Sequence, residues 1–400
     1  MNSPARQFLP YLGIALVAAV LFLWIAGAQK TTPPAPKSSA QSAAAVPDSG
    51  APAAASSSYQ PADGKHAVKV LEEILLPDAK RKKDLPVRVT YPNDAGPFPV
   101  IIFSHGVGGS NSCCADLVRY WAGQGYVILQ PTHADSIEWQ KKQQAAADDK
   151  DKKRRVQRPL AALRDPDQWA GRAGDVSFLI DSLAELEKKV PALQGKLDSS
   201  RVGVGGHSYG AYTSQLIAGA TVDVPGEEKG RSFADPRPAA FLLLSGQGRG
   251  QQGLTDNSWA RLTRPMMSAT GSRDRGAKGQ PPDWKKEPFD LSPPGDKYHL
   301  FLHGAWHGTF VGRTGEGEEK NLERIASGQA GLRQGASGDA SSAKDVKNLI
   351  AEQKILFGYV QKATTAFWDA YLKKQPAAKA YLQSDSLPAS SNGALQLWRK

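Results

Sequence analysis

An α/β fold, with a mostly parallel central sheet and helices on both faces, is what this sequence predicts. Beyond His66, short apolar runs alternate with stretches of helical periodicity, the pattern that repeated strand–helix units produce. Phe98–Ser104 contains a continuous apolar run, as expected for a strand that helices cover on both faces. The third observation is a Val-rich strand that runs into the glycine-flanked serine of Gly206–Gly210 and then into a helix.

The individual elements follow from local pattern. Strands are predicted where β-branched and aromatic residues lie between turn residues, and helices where apolar residues recur every three to four positions. The predicted strands are Val87–Tyr91, Phe98–Ser104, Tyr126–Leu129, Arg201–Gly205, Ala240–Leu244, Pro265–Thr270 and Tyr298–Leu302. The predicted helices are Leu117–Gln124, a helix containing Val176–Leu183, and a long helix over Asp345–Lys373.

Four segments divide the chain. Residues 1–28 are a predicted membrane anchor or signal segment, residues 29–63 a disordered linker, residues 64–385 the α/β domain and residues 386–400 a tail. The linker consists mainly of Ala, Pro and Ser. Because it has almost no large apolar side chains, it cannot bury enough surface to fold.

The N-terminal segment predicts export. Phe8–Ala28 carries no charge, and about 20 apolar residues are enough to cross the hydrocarbon core of a bilayer as a helix. We expect an uncleaved anchor in the inner membrane, with the domain facing the periplasm or the outside. Cleavage near Ala28 and release of the domain is the alternative, because Ala26–Ala28 resembles a cleavage site.

Two polar insertions interrupt the domain. Asp135–Arg158 is too charged for a core and is predicted to be a helical or lid-like excursion over the sheet edge. Gly312–Lys344 is rich in glycine and is predicted to be a loose loop. Insertions of this kind often form lids, so the choice of substrate depends on them.

The net charge of +11 does not indicate a nucleic-acid partner. The basic residues occur in short, scattered runs such as Lys80–Lys83 and Lys150–Arg155, whereas nucleic-acid binding needs a concentrated basic stripe. A solvated surface near an anionic envelope is the better interpretation.

No metal and no organic cofactor is predicted. The two cysteines, Cys113 and Cys114, are adjacent, and no histidine cluster is spaced to complete a metal site with them. A disulfide between neighbouring residues is strained, so free buried thiols are expected. The chain also lacks the phosphate-binding, dinucleotide-binding and HExxH motifs.

The segment Gly206-His207-Ser208-Tyr209-Gly210 carries the chemistry. Its glycines let the backbone turn sharply from a strand into a helix, and this turn exposes the Ser208 hydroxyl at the N-terminus of the helix. The helix dipole there favours developing negative charge. Ser208 is therefore the predicted nucleophile.

A second glycine-rich segment, Ser104-His105-Gly106-Val107-Gly108-Gly109-Ser110, follows a buried strand. Acyl transfer needs backbone N–H groups that point at the oxyanion of the tetrahedral intermediate. The N–H groups of Val107 and Tyr209 are the predicted donors. Taken alone the segment could be a mere turn, and its pairing with the serine motif favours the functional interpretation.

A serine needs a base, and a base needs an acid that orients it. Among the histidines that follow Ser208, His307 lies in the small-residue loop Gly304–Gly308 and is the predicted base, with His303 in reserve. His299 lies within a strand. Asp274, after the strand Pro265–Thr270, is the predicted acid, and Asp256 is the alternative.

With these residues in place, the chain resembles the α/β-hydrolase branch that includes predicted dienelactone hydrolases and platelet-activating-factor acetylhydrolase-like esterases. The matching segments are Ser104–Ser110, Tyr126–His133, Gly206–Gly210, Gly271–Asp274, Asp296–His307 and Ala366–Leu372. The resemblance spans about Glu72 to Leu382 and implies the same Ser208, Asp274 and His307. True dienelactone hydrolases use a cysteine nucleophile, whereas this chain has Ser208. The resemblance therefore implies the hydrolysis of carboxylic esters and not specificity for lactone rings.

The predicted function is hydrolysis of small-molecule or lipid carboxylic esters through an acyl-enzyme on Ser208. Trp306, next to His307, is a candidate for an apolar acyl pocket, although core packing explains it equally well. An amidase or peptidase shares this triad and is one alternative. A non-catalytic envelope-binding protein that retains the fold is another.

Overall fold

The computed structural model describes residues 59–61, 64–146, 159–227, 229–313 and 343–400. The predicted anchor, the linker except residues 59–61, half of the first predicted insertion (residues 147–158) and most of the second (residues 314–342) lie outside the described residues. No helix in the described ranges is long and apolar enough to cross a membrane.

A mixed sheet of nine strands forms the centre of the described domain, in the order β1-β2-β4-β3-β5-β6-β7-β8-β9. Neighbours from β4 through β8 are parallel, whereas β1, β2 and β9 pair antiparallel at the two sides. The strands are β1 Val68–Asp78, β2 Lys83–Pro92, β3 Phe98–Ser104, β4 Val127–Pro131, β5 Leu197–His207, β6 Ala240–Leu244, β7 Met266–Gly271, β8 Lys297–Leu302 and β9 Leu395–Arg399.

Helices cover the sheet on both faces. They are α1 Ala115–Gly123, α2 Ile137–Ala146, α3 Pro159–Ala162, α4 Pro166–Asp181, α5 Leu183–Lys189, α6 Tyr209–Ala218, α7 Glu287–Asp290, α8 Ala343–Tyr371, α9 Pro376–Gln383 and α10 Ser386–Ala389. Within the described ranges, three short 3-10 helices span Pro191–Leu193, Pro282–Lys286 and Thr309–Val311. The predicted α/β class, with a mostly parallel sheet and flanking helices, is confirmed.

Strand β3 shows why two helical layers are needed. All of its residues are buried, and successive side chains point to opposite faces. Val100 and Ile102 belong to the core under α4 and α6, while Ile101 and Phe103 belong to the core under α1 and α8. An uninterrupted apolar strand therefore requires a helical layer on each side.

The two edge elements differ from the prediction. β1 was not predicted, because its side chains alternate between charged and apolar and it packs mainly against β2. The predicted tail, residues 386–400, is wrong, because these residues form α10 and then β9, which pairs with β8. Asn392 and Gly393, both with positive φ, turn the chain into β9, where Leu395 and Leu397 are buried.

The domain also begins earlier than predicted. Tyr59 falls in the predicted linker, yet its hydroxyl donates to Asp369 Oδ2 at 2.6 Å and its ring packs 5.3 Å from that of Tyr381. Asp369 also accepts a hydrogen bond from Tyr126 at 2.6 Å. The boundary at residue 63 is therefore wrong, since an aromatic side chain before it is part of the folded domain.

Parallel pairing determines where the polar side chains meet. The strands β3 and β5 to β8 point in one direction, so their carboxyl ends lie along the same edge of the sheet. The glycine-rich loop follows β3, Ser208 follows β5, and Asp274 follows β7. This edge is where an open α/β sheet commonly binds its ligand.

Burial of β9 predicts a measurable contribution to stability. Leu397→Ala should lower the free energy of unfolding by about 2–3 kcal/mol, because it leaves a cavity against β8. Gln396→Ala, at the exposed neighbouring position, should change it by less than about 0.5 kcal/mol. Urea denaturation of both variants measures this, and equal losses would contradict an ordered ninth strand.

Candidate active site

Ser208 occupies a strained turn between β5 and α6. Its backbone has φ 56° and ψ −119°, a conformation that side-chain-bearing residues rarely adopt. Its N–H donates to the Leu244 carbonyl at the end of β6, at 2.9 Å. The turn is thus held by the neighbouring strand and leaves the half-buried Ser208 side chain at the carboxyl edge of the sheet.

The flanking glycines are required by close backbone approach. A Cβ atom at Gly206 would overlap the backbone of Gly210, and one at Gly210 would overlap the Ser104 carbonyl at the end of β3. Only glycine at both positions lets α6 begin directly against β3 and β5. This geometry explains the spacing of the two glycines around Ser208.

The loop after β3 lies against the serine. Ser104 pairs in register with Gly206, and a Cβ at Gly106 would lie 3.4 Å from Ser208 Cβ. The backbone N–H groups of Val107 and Tyr209 have no backbone acceptor among the described residues. Both are therefore free to donate, and their role as oxyanion donors stays a prediction. The Tyr209 side chain packs in the core, stacked on Tyr212.

A buried ion pair holds this loop. Arg172 of α4 is bidentate to Asp135, with both N–O distances 2.9 Å, and also donates to the His105 carbonyl at 2.9 Å. Asp135 in turn accepts from the Gly108 N–H at 3.0 Å. The Arg172 guanidinium also lies 4.2 Å from the centroid of the Tyr209 ring. One arginine thus contacts the elements that carry both predicted oxyanion donors.

This pair corrects one expectation about the first insertion. Asp135 was placed in a segment too charged for the core, yet it is fully buried. Burial alone would raise the pKa of its carboxyl, but the Arg172 guanidinium, His105 and the Gly108 N–H hold it well below its usual value. Ser136 is buried as well, whereas α2, which forms the remainder of the described insertion, has no buried residue.

His133, which has no evident role in the sequence, is part of the same support. Its Nδ1 lies 2.8 Å from Asp175 Oδ2 and its Nε2 3.0 Å from Ser104 Oγ, and all three side chains are buried. Burial, together with nearby Arg172, lowers the pKa of His133 to about 4. It is therefore neutral at physiological pH and connects the end of β3 to α4.

The predicted base and acid are brought together. His307 Nδ1 lies 3.0 Å from Asp274 Oδ1, and Asp274 is fully buried. Asp274 also accepts from Ser245 Oγ at 2.9 Å and Thr270 Oγ1 at 3.1 Å. Burial would raise the pKa of Asp274, but buried Lys285 and these hydrogen bonds hold it well below its usual value. Asp274 is therefore ionised.

Ser208 and His307 do not share a hydrogen bond among the described contacts. His307 is bonded through Nδ1 to Asp274 and Ser245, and its carbonyl accepts from His207 Nε2 at 2.9 Å. Hydrogen bonds between nucleophile and base are commonly long without substrate. The Asp274–His307 pair is present, and its connection to Ser208 stays a prediction.

The alternatives for base and acid do not reach the site. His303 is exposed and contacts Gln396, while His299 is buried beside Ser268, with Nδ1 2.7 Å from the hydroxyl. Asp256 is exposed and pairs with Arg249. These contacts leave Asp274 and His307 as the only predicted pair that meets in the structure.

The remaining candidates have less specific positions. Trp306 is half-buried and its backbone N–H donates to Thr309 Oγ1, so the place of its side chain in a substrate pocket stays a prediction. Cys113 and Cys114 are free thiols with Sγ atoms 3.1 Å apart. Within the described residues, no group of three or more His, Cys, Asp or Glu side chains is arranged to hold a metal ion.

Sequence reasoning missed four site residues: Asp135, Arg172, Ser245 and Lys285. Arg172 lies on the apolar face of α4, three residues after Trp169 and four before Val176, so its position in a buried stripe was a usable signal. Asp135 follows β4 at the same sheet edge, which was a weaker signal. Ser245 and Lys285 have no local pattern that distinguishes them.

The Arg172–Asp135 pair predicts a large and coupled effect on stability. Arg172→Met should lower the free energy of unfolding by about 3–5 kcal/mol, because it leaves the Asp135 carboxylate buried without a counter-charge. The double variant with Asp135→Asn should lose less than the sum of the single variants. Chemical denaturation measures this double-mutant cycle.

The control is Arg231→Met, which removes an exposed pair with Glu227 and should cost less than about 1 kcal/mol. The pKa of Asp135 is lowered by folding, so the pair stabilises above about pH 4, the unfolded pKa, and this contribution disappears at lower pH. Two results would contradict this account: free-energy losses of the two single variants that add up to the loss of the double variant, or a loss for Arg172→Met that does not change with pH.

The comparison with known proteins covers the first part of this site. A chlorophyllase family model matches residues 58–159, which include β1 to β4, α2 and the loop His105–Gly109, but not Ser208, Asp274 or His307. No curated protein matches the chain. The match supports the broader class that the sequence predicted, and the narrower dienelactone-hydrolase and acetylhydrolase resemblance stays a prediction. Over residues 58–159, this chain is similar to the chlorophyllases, esterases of the α/β-hydrolase type.

Proposed function

We propose that this protein is a serine hydrolase of the α/β-hydrolase fold that cleaves carboxylic esters. The observation that carries the proposal is that a strained Ser208 turn and the pair of His307 with buried Asp274 lie at one edge of the sheet. The similarity of residues 58–159 to chlorophyllases favours an ester as the substrate. The substrate class is a small-molecule or lipid ester.

The catalytic steps follow from the positions of the groups. His307 Nδ1 faces Asp274 and Ser245, so Nε2 is the atom that takes the proton as Ser208 Oγ attacks the ester carbonyl. The Val107 and Tyr209 N–H groups stabilise the oxyanion, a contribution of about 3–4 kcal/mol per donor in such sites. The resulting imidazolium then protonates the leaving alcohol.

Deacylation repeats the sequence with water. His307 Nε2 removes a proton from the attacking water. As the second tetrahedral intermediate collapses, the bond between the acyl carbon and Ser208 Oγ breaks, the imidazolium returns its proton to Oγ, and the carboxylic acid leaves. Asp274 remains ionised throughout and holds the imidazole in one tautomer.

The test is hydrolysis of nitrophenyl esters of increasing acyl length by residues 56–400. Ser208→Ala and His307→Ala should lower kcat/KM by at least about 1,000-fold. His303→Ala and Asp256→Asn are matched controls and should stay within about threefold, since both side chains are exposed and contact other residues. The acyl length at which kcat/KM is highest reports the size of the acyl pocket.

Two outcomes would contradict ester hydrolysis by this triad. Activity that survives Ser208→Ala would exclude the nucleophile. No turnover by the folded wild type, together with hydrolysis of nitroanilides, would favour an amidase. Inertness to both substrate classes and to fluorophosphonate labelling would favour a binding protein.

We also propose that Phe8–Ala28 anchors the full chain in a membrane, because the segment is uncharged and long enough to span a bilayer. The full chain expressed in a Gram-negative host should remain in the membrane pellet after carbonate extraction, whereas a chain that lacks residues 1–28 should be soluble. Recovery of a shortened, soluble protein from the periplasm would instead show cleavage near Ala28.

A further inference from the structure

A buried lysine lies beside the Asp274–His307 pair. Lys285 is on the 3-10 helix Pro282–Lys286, and only 3% of its side chain is exposed. Its Nζ lies 3.2 Å from Asp274 Oδ1 and donates to Ser245 Oγ at 2.8 Å. A buried ammonium is costly unless charged and polar partners surround it, and Asp274 and Ser245 are those partners.

Ser245 connects the lysine to the imidazole. Its hydroxyl donates to Asp274 Oδ1 and lies 2.6 Å from His307 Nδ1, so it accepts from both His307 and Lys285. The positive φ of 54° at Ser245, directly after β6, places the hydroxyl at this point. Lys285 Nζ and His307 Nδ1 are thus separated by a single oxygen atom.

The charged and titratable groups that face His307 come from four elements. Asp274 follows β7, Lys285 is on the 3-10 helix, and the His207 ring at the end of β5 lies 4.5 Å from the His307 ring. Arg313 follows the 3-10 helix Thr309–Val311 and acts on His307 through its charge. Asp274 is the one group among these four that favours an imidazolium.

We propose that Lys285 is a positioning residue of the hydrolytic site, which holds Asp274 in place and keeps His307 in the neutral form that can act as a base. This inference rests on the proposed function. Lys285 does not contact the reacting atoms and acts through Asp274 and Ser245. Its ammonium offsets the Asp274 charge, so the formation of an imidazolium adds a positive charge to a site that is already neutral.

The direction of the effect follows from these charges. Partial burial and the Lys285 ammonium lower the pKa of His307 more than Asp274 raises it, so the pKa lies below the usual 6.5. The neutral form of His307, which can act as the base, is therefore favoured down to a lower pH than in a free imidazole. Removal of the ammonium leaves Asp274 to stabilise the imidazolium, so the pKa of His307 should rise.

The experiment measures the His307 pKa by NMR titration of the imidazole and, in parallel, the acid limb of kcat/KM. Lys285→Met should raise the His307 pKa and the midpoint of the acid limb by about one pH unit. At pH values below the pKa of His307 in both proteins, kcat/KM of the variant should then be about tenfold lower. Lys285→Arg, which keeps the positive charge, should restore the wild-type values. His307→Gln assigns the imidazole signal.

Lys286→Met is the matched control, because Lys286 is on the same helix but pairs with Asp290, 2.8 Å away. It should leave the pKa and the acid limb unchanged. If Lys285→Met does not fold, Lys285→Gln replaces it, since its amide N–H can still donate to Ser245. A His307 pKa that is the same with and without the ammonium would overturn the proposal.

The two measurements separate this inference from the proposed function. If the wild type hydrolyses no ester at any pH, the proposed function fails, but the NMR titration still decides whether Lys285 acts on His307. If hydrolysis is present and only the titration is insensitive to Lys285, the inference fails and the proposed function stands.

Discussion

The contact between Gly210 and the Ser104 carbonyl is the constraint on which the site depends. It brings the start of α6 against the end of β3, with no room for a side chain between them. Because β3 and β5 are parallel neighbours, this approach places the loop after β3 directly beside Ser208. The strained backbone of Ser208 is tolerated because the strands on both sides hold it.

Buried charge supports each half of the site in a different way. On one side, Arg172 and Asp135 hold the glycine-rich loop through hydrogen bonds to its backbone. Arg172 donates to the His105 carbonyl, and Asp135 accepts from the Gly108 N–H. On the other side, Lys285 and Ser245 surround Asp274, which would otherwise be an uncompensated buried carboxylate. Both arrangements follow the same rule, that an ion in a protein interior needs a counter-charge and hydrogen bonds.

The two supports also come from different parts of the chain. Arg172 is on α4 and Lys285 is on a 3-10 helix between β7 and β8. The similarity to chlorophyllases includes Asp135 and the glycine-rich loop but ends before Arg172. The candidate site is thus assembled from segments inside and outside the matched region, and the Asp274–His307 pair lies entirely outside it.

The sequence alone predicted the α/β class, the seven central strands and the placing of Asp274 and His307 after two neighbouring parallel strands, with Asp256 and His303 left as alternatives. These follow from local signals, because buried parallel strands are continuous apolar runs and parallel strands present their carboxyl ends at one edge. The tertiary structure decided the parts without such signals. β9 and Tyr59 are ordered by partners far away in the chain. Ser245 and Lys285 are part of the site because the Asp274 carboxylate is buried away from water. It therefore needs a hydrogen-bond donor and a counter-charge from the protein, and these two residues provide them. The local pattern of apolar residues predicts which segments are buried. The partners of a buried ion come from segments that are distant in the chain, and a single sequence does not show which of these segments meet.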